Sequence, residues 1–266
     1  MRKYILIKII PLLVLISCAT VETQTNNTVV IEEPNKIDEN QLFIEYLDKD
    51  WEKNLDNNPL FASYTGDKSS NDKINSNSIE QFIKEKESDQ NSLYLLNKID
   101  LSKLSKENQL NFKLKEFGLN NSVNAAQFPT YYLRLNQRGG IQSFYETGNR
   151  LVYATEKDYY DWFKRLEQFV DNINNSLVIN KEGLAKGHTQ PKLVTKGVIA
   201  QLDAMIKSDI SSNPYLKVFK DADESIINIE DKNKLIDDAI LLIENRINPA
   251  YKLSLIHISE PTRHDQ

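Results

Sequence analysis

The stretch from Thr155 to Leu177, TEKDYYDWFKRLEQFVDNINNSL, leaves little freedom to the fold. Tyr159, Trp162, Phe163, Leu166, Phe169, Val170, Ile173 and Leu177 recur at helical spacing for about five turns, so one whole face of a long helix is apolar. Thr155 and Asp158 have the form of a capping box and fix where that helix starts. A face of this length needs other elements to cover it. With only eight Gly and eight Pro in 266 residues, the chain holds little turn chemistry for a many-stranded sandwich or barrel, so helices must do the covering. The expected fold class is mainly α: a multi-helix array of antiparallel amphipathic helices, preceded by a lipoprotein signal segment and a flexible tether.

Other helical patterns fit that expectation. In QLFIEYLDKDWEKNLDNNP, Leu42, Phe43, Tyr46, Leu47, Trp51 and Leu55 form one stripe, which Asn57-Asn58-Pro59 stops. The stretch TGDKSSNDKINSNS reads as a polar connector. Two further patterns follow. One carries Ile79, Phe82, Ile83, Leu93, Leu95, Leu96 and Ile99; the other takes Ser105 as its N-cap and points Leu110, Leu114 and Phe117 inward. Pro191 suits the first position of a helix through Leu193, Val194, Ile199, Leu202, Met205 and Ile206. A last helix runs from Leu235 through Ile236, Ala239, Leu242, Ile243 and Ile247 to Asn248-Pro249.

The opening, MRKYILIKIIPLLVLISCAT, places basic Arg2, Lys3 and Lys8 before a short apolar run and ends in Leu15-Ile16-Ser17-Cys18. Cys18 is the chain's single cysteine, which excludes an internal disulfide, and it falls at the position of a bacterial lipobox. Residues 1–17 are therefore expected to be a lipoprotein signal peptide, with Cys18 the lipidated residue and membrane anchor and residues 18–40 a tether. Ala19, standing where an Asp would retain such a protein, points to a bacterial cell envelope location at the outer membrane, facing the periplasm. The formal net charge is −5, and about −7 without the signal segment and the last fourteen residues, which argues against a nucleic-acid partner.

Chemistry is sparse. Asp48, Asp50 and Glu52 resemble a calcium loop only until Lys53 stands at the turn glycine and Pro59 at the closing Glu. His188, between Gly187 and Thr189, suits a turn or a cap. No HExxH, paired His or nucleophile with a base at telling spacing occurs, so neither a catalytic residue nor a metal site is expected in this chain. The least helical part is AAQFPTYYLRLNQRGGIQSFYETGNR. Phe128, Tyr131, Tyr132, Phe144 and Tyr145 surround Asn136, Gln137, Arg138, Gly139 and Gly140, which form either a substrate-cleft loop or a surface turn propped by aromatics. The tail LSLIHISEPTRHDQ holds two of the three histidines and no Asn or Lys. It reads as the translation of a transposase end running into a sequencing adapter, so residues 253–266 are expected to be artefactual, and His257, Glu260, Arg263 and His264 are not expected to act.

Several motifs together resemble the N-terminal half of the bacterial helical proteins of domain-of-unknown-function family 885. They are NPLFASYTGD, KIDLSKLSKENQLNFKL, YYLRLNQRGGIQ, TEKDYYDWFKRLEQF, GLAKGHTQPKLVTKGVIAQLD and IENRINPAYKL, in order between Gln41 and Leu253. The resemblance implies a mostly helical, secreted or lipid-anchored protein related to zinc metallopeptidases, whose zinc sits on an HExxH helix with a downstream acidic ligand. Those residues have no counterpart here. Residues 41–252 are then expected to be the incomplete, non-catalytic half of a larger domain, with zinc and a peptide substrate implied only for the full-length parent. The alternative is a non-enzymatic helical envelope lipoprotein that binds peptides or a protein partner. Cys18→Ser is expected to abolish incorporation of labelled fatty acid and to leave an unprocessed precursor; a mutant that labels and migrates like the parent contradicts the lipobox reading.

Overall fold

The long helix of the Thr155 stretch is the axis of the molecule. In a computed structural model, which describes residues 38–259 within one unit, it forms α6 (Glu156–Ala185), against which the short turns between residues 130 and 143 and the helices from residue 229 on pack. The chain enters through α1 (Glu39–Asn57), capped by the Asp38 carboxylate, which accepts the Asn40 amide. Pro59 then ends α1 and opens α2 (Pro59–Thr65), because its fixed φ suits a first helical residue. Two longer helices follow, α3 (Ile79–Leu96) and α4 (Lys106–Ala125), packed against each other. A single turn, α5 (Tyr145–Gly148), precedes α6. Beyond it lie α7 (Lys192–Lys207), the one-turn α8 (Lys217–Lys220), α9 (Ile229–Leu242) and α10 (Asn248–Ser259). The fold is mainly α, with no strand among the described residues; the one β-type pairing there is the bridge between Asn136 and Gly139. Helix α1 begins two residues inside the expected tether, while Cys18, the signal segment and residues 260–266 lie outside the described residues.

Two cores result. The larger takes the apolar face of α6, with Trp162, Leu166, Phe169 and Ile173 buried against Val198 and Leu202 of α7, Leu235 and Ala239 of α9 and Tyr251 of α10. The capping box predicted at Thr155 and Asp158 is present. The smaller core joins α1, α3 and α4 through Phe43, Leu96, Leu104, Phe112 and Leu119.

Helix α4 corrects one expectation. Ser105 caps it, its hydroxyl accepting the Asn108 amide at 3.2 Å, but Leu110, Leu114 and Phe117 face solvent at 59%, 61% and 67% exposure. The face turned to α1 instead carries Asn108, Phe112, Lys115 and Leu119. Asn108 donates to Asn40 Oδ1 at 3.0 Å and Lys115 pairs with Asp50, and these polar contacts set the rotation of the helix. Asp50 is accordingly no solvated member of the Asp48–Glu52 cluster. A second correction concerns Asn248-Pro249, which does not end the last helix. Residues Ile243–Ile247 form a π turn in which the Asn248 amide reaches the Ile243 carbonyl, and this widened turn accommodates Pro249, which lacks an N–H. Helix α10 therefore crosses the change in composition at Leu253, burying Ser254 and Ile258.

The polar connector stays irregular but takes a definite course. Residues 66–78 lie along α6 as a strap, gripped by a second stripe of that helix. Asp158 accepts Lys68 Nζ at 2.7 Å and Asn71 Nδ2 at 3.2 Å. Arg165, fully buried, donates to the carbonyls of Pro59 at 3.2 Å, Ser70 at 3.3 Å and Lys73 at 2.7 Å and to Ser63 Oγ at 2.7 Å. Gln168 donates to the Asp72 carbonyl at 2.6 Å, and Asn172 to the Asn75 carbonyl at 2.9 Å. Burial alone would raise the Asp158 carboxyl. The Lys68 ammonium, the amides of Ala154 and Thr155 and the Thr155 hydroxyl outweigh it and hold the group below the usual carboxylate range.

Replacing Arg165 removes four donated bonds at once and leaves buried acceptors without partners. Arg165→Met is expected to cost about 3–5 kcal/mol in urea denaturation. A loss under about 1 kcal/mol would mean that the strap does not depend on this side chain.

Candidate functional site

The aromatic segment from Phe128 to Tyr145 runs along α6, from Gly183, against which Tyr132 lies, back to Phe169 and Trp162. Its rings anchor it. Phe144 stacks on Phe169 at 4.2 Å and on Trp162 at 5.5 Å between centroids, while Tyr131 stacks on Phe82 of α3 at 5.2 Å. The Arg134 guanidinium covers the other ring contact, 4.0 Å from the Phe82 centroid, and its burial there lowers its pKa. Gly148 closes the segment directly beneath the Trp162 indole, where an added Cβ would overlap the ring.

Between the anchors, Asn136–Gly140 makes a tight turn. The Asn136 side chain accepts the Arg138 amide at 2.9 Å, and Gly140 adopts φ +137°, a conformation that L residues rarely enter. Gln201 of α7 donates to the Gln137 carbonyl at 2.9 Å, and its Oε1 accepts Gln142 Nε2 at 3.1 Å. From below, the Tyr251 hydroxyl of α10 donates to the Ile141 carbonyl at 2.6 Å. That hydroxyl also lies 2.8 Å from the hydroxyl of Tyr215, and burial pushes both phenols far above their ordinary pKa, so they stay protonated. The loop is thus fastened on three sides.

Under it lies a cavity of about 360 Å³, between the segment, the strap and α6. Of the five expected loop residues, Asn136 and Gly140 line it. Gln137, Arg138 and Gly139 do not: the Gln137 side chain lies against Gly197 of α7, and Arg138 is exposed. The walls also hold Tyr131, Phe144, Phe169 and Ile179. Its polar lining includes Asn77 of the strap, Gln142, and Asn172, Ser176 and Asn180 of α6, residues that sequence reasoning passed over. A signal for them existed: Asp158, Asp161, Arg165, Gln168, Asn172 and Ser176 repeat at three- and four-residue steps, a polar stripe with helical period.

A second cleft, of about 740 Å³, lies among α1, α3 and α4 and is lined by charge. Lys115 pairs with Asp50, Lys53 donates to Ser92 Oγ at 3.0 Å, and Ser92 in turn donates to Asp50 at 3.1 Å. Burial, with Asp50 nearby, raises the Asp89 carboxyl against the pull of Lys53 and Lys115. The network satisfies itself.

His188 serves as a turn residue, as expected. Its amide donates to the Gly183 carbonyl at 2.8 Å at the end of α6, and its ring stacks on Tyr132 at 5.2 Å. The Tyr132 phenol is pushed up to about 12 because its proton is held by Glu182, with Lys186 acting in the opposite sense. Among the described residues no group of three His, Cys, Asp or Glu side chains is placed to hold a metal, so they do not fit zinc.

The fold and the cavity define a class: an all-helical protein whose longest helix carries an apolar core face, a polar strap and an amide-lined cavity. The chain belongs to the bacterial protein family of unknown function DUF885, whose model matches residues 59–258. It is similar in fold to the crystal structure of a protein from Colwellia psychrerythraea described as a lipoprotein, with a TM-score of 0.67 and 17% identity over 84% of this chain and 41% of that one. It is also 34% identical, over 116 residues, to an uncharacterized metallohydrolase of Methanocaldococcus jannaschii, a match covering 36% of this chain and 28% of that protein. The chain therefore spans well under half the length of either. No helix among the described residues is long and apolar enough to cross a membrane.

Tyr251→Phe removes the strongest tie on the Ile141 carbonyl and leaves only Tyr215, 3.5 Å away. It is expected to cost about 1–2 kcal/mol in thermal or urea denaturation and to speed amide exchange across residues 136–144. Unchanged exchange in that segment would show that the aromatic stacking alone fixes the loop.

Proposed function

We propose that this chain is the non-catalytic portion of a lipid-anchored, zinc-peptidase-like hydrolase of the bacterial envelope, and that by itself it is inactive. The observation that carries the reading is the family match over residues 59–258, taken together with the similarity to a metallohydrolase. The segment ending at Cys18, and the description of the fold relative as a lipoprotein, support anchoring in the envelope, with the outer membrane as the proposed location. In this reading zinc and its HExxH helix belong to the parent protein. The present residues supply the scaffold and a cavity for part of a peptide substrate.

The described side chains support the scaffolding role. Among the described residues no three His, Cys, Asp or Glu side chains are grouped to hold a metal, and the buried Asp158 and half-buried Asp50 are engaged by Lys68 and Lys115, so no reaction step is assigned to them. Equilibrium dialysis of the 266-residue chain against zinc is expected to give no stoichiometric uptake, while the gene read past codon 252 is expected to encode an in-frame HExxH in a protein that holds zinc. Tight one-to-one zinc binding by the 266-residue chain, or a longer frame without the motif, would overturn the proposal and leave the non-enzymatic binding lipoprotein.

A further inference from the structure

Arg134 is the one charged residue in the wall of the cavity beneath the Asn136–Gly140 loop, and the fold leaves its donors unused. Its guanidinium lies over the Phe82 ring, 4.0 Å from the centroid, a contact that engages the charge and leaves the N–H groups of the guanidinium plane free. Among the described residues it makes no hydrogen bond and no ion pair. Glu85 of α3 is the carboxylate whose charge reaches it, and that side chain accepts Gln81 Nε2 at 3.2 Å instead. Asn180 of α6, half-buried in the same wall, likewise has a side-chain amide with no partner among the described residues. Gln142 Oε1 and Asn77 Oδ1 are unpaired too, but protein covers both atoms, so a molecule in the cavity does not reach them.

We infer that this cavity is a binding site for a carboxylate carried on a small apolar body, with the Arg134 guanidinium as its cation. Charge selects the sign. With no carboxylate in the wall, a ligand ammonium or guanidinium would meet Arg134 uncompensated, whereas an anion supplies the close partner that Glu85 does not. The burial that lowers the Arg134 pKa acts in the same direction, because a guanidinium partly withdrawn from water regains in an ion pair what burial took away. Geometry then selects among anions. Two parallel N–H groups of one guanidinium match the two oxygens of a carboxylate, and one cation balances one negative charge. A phosphate with close to two charges would keep an excess in a wall that holds no Lys. Tyr131, Phe144, Phe169 and Ile179 face the apolar body, and Asn180 offers a donor and an acceptor to an amide joined to it. A volume of about 360 Å³ suits one or two small residues that end in the carboxylate, at the lower end of ordinary ligand pockets.

That this carboxylate belongs to the parent's peptide substrate rests on the function proposed above, whereas the binding chemistry does not. The two can therefore fail separately, one by zinc content and the other by calorimetry. The probes for the 266-residue chain are N-acetyl-dialanine with its free carboxylate, the same peptide closed as the C-terminal amide, N-acetyl-aspartic acid α-amide, which carries the carboxylate on its side chain, and inorganic phosphate. N-acetyl-dialanine is expected to bind one to one, its amide at least about tenfold more weakly, and phosphate more weakly than the acid. Added salt is expected to weaken the acid and to leave the amide unchanged. The two acids distinguish a chain terminus from an acidic side chain as the source, and an advantage of either over the amide supports the carboxylate site. Arg134→Gln is expected to bring the acid down to the affinity of its amide without changing the amide, a difference that lost packing on Phe82 does not produce. The inference fails if neither acid binds at millimolar concentration, if the amide binds as tightly as both acids, if phosphate binds more tightly than both, or if Arg134→Gln leaves the acid unchanged or weakens acid and amide alike. Because the comparison of ligands uses the unaltered protein, a variant that misfolds does not affect its outcome.

Discussion

The rest of the structure depends on the grip of α6 on the strap from Gly66 to Ser78. One face of α6 makes the larger core, and the adjoining stripe of Asp158, Arg165, Gln168 and Asn172 holds thirteen residues of irregular backbone that would otherwise have no place in a helical protein. An irregular segment laid on a helix exposes carbonyls that neither helix nor sheet will satisfy, so the helix must supply the donors. Arg165 satisfies the Ser70 and Lys73 carbonyls of the strap, Gln168 and Asn172 one each, and Arg165 also ties the strap to Pro59 and Ser63 of α2. Its guanidinium carries a fork of five donors, and four bonds are made to three carbonyls and one hydroxyl at a site with no exposure.

The same grip builds the cavity. Near the end of the strap Asn77 is held by Asn172 and Ser176, so the last contacts of the stripe are also the floor of the candidate site. The roof is fixed from different directions, by Gln201 of α7 and Tyr251 of α10. Neither Asn136 nor Asn77 could be placed by its neighbours in sequence. Their closeness follows from two independent fastenings onto one helix.

What could be read from the sequence, and what could not, divides along this line. Local pattern gave α6 with its capping box, Ser105 at the start of α4 and the stop of α1 before Pro59, because each is decided by residues within one or two turns. Rotation of a helix about its own axis is decided by partners far away. In α4 the stripe of Leu110, Leu114 and Phe117 and the stripe of Asn108, Phe112, Lys115 and Leu119 are both helical in period, and Asp50 and Asn40 on α1 chose between them. Pro249 misleads for a related reason: a widened turn before it removes the clash that would end the helix. The loop at Asn136–Gly140 was legible as a candidate through its glycines and aromatics, but the acceptors of its cavity, Gln142 and Asn77, sit 65 residues apart and carry no shared motif.

Leaving two acceptors unpaired costs about 1–3 kcal/mol for each, by general experience with buried polar groups. A loop held by one weak tie would escape that cost by turning its amide to solvent. This loop is held by the Phe144 stack on Phe169 and Trp162, by the Gln201 bridge and by a buried tyrosine hydroxyl, and the strain of Gly140 is absorbed at a residue that tolerates it. The two oxygens are therefore held in place by the fold, each fixed in direction by the bonds that its own amide nitrogen makes.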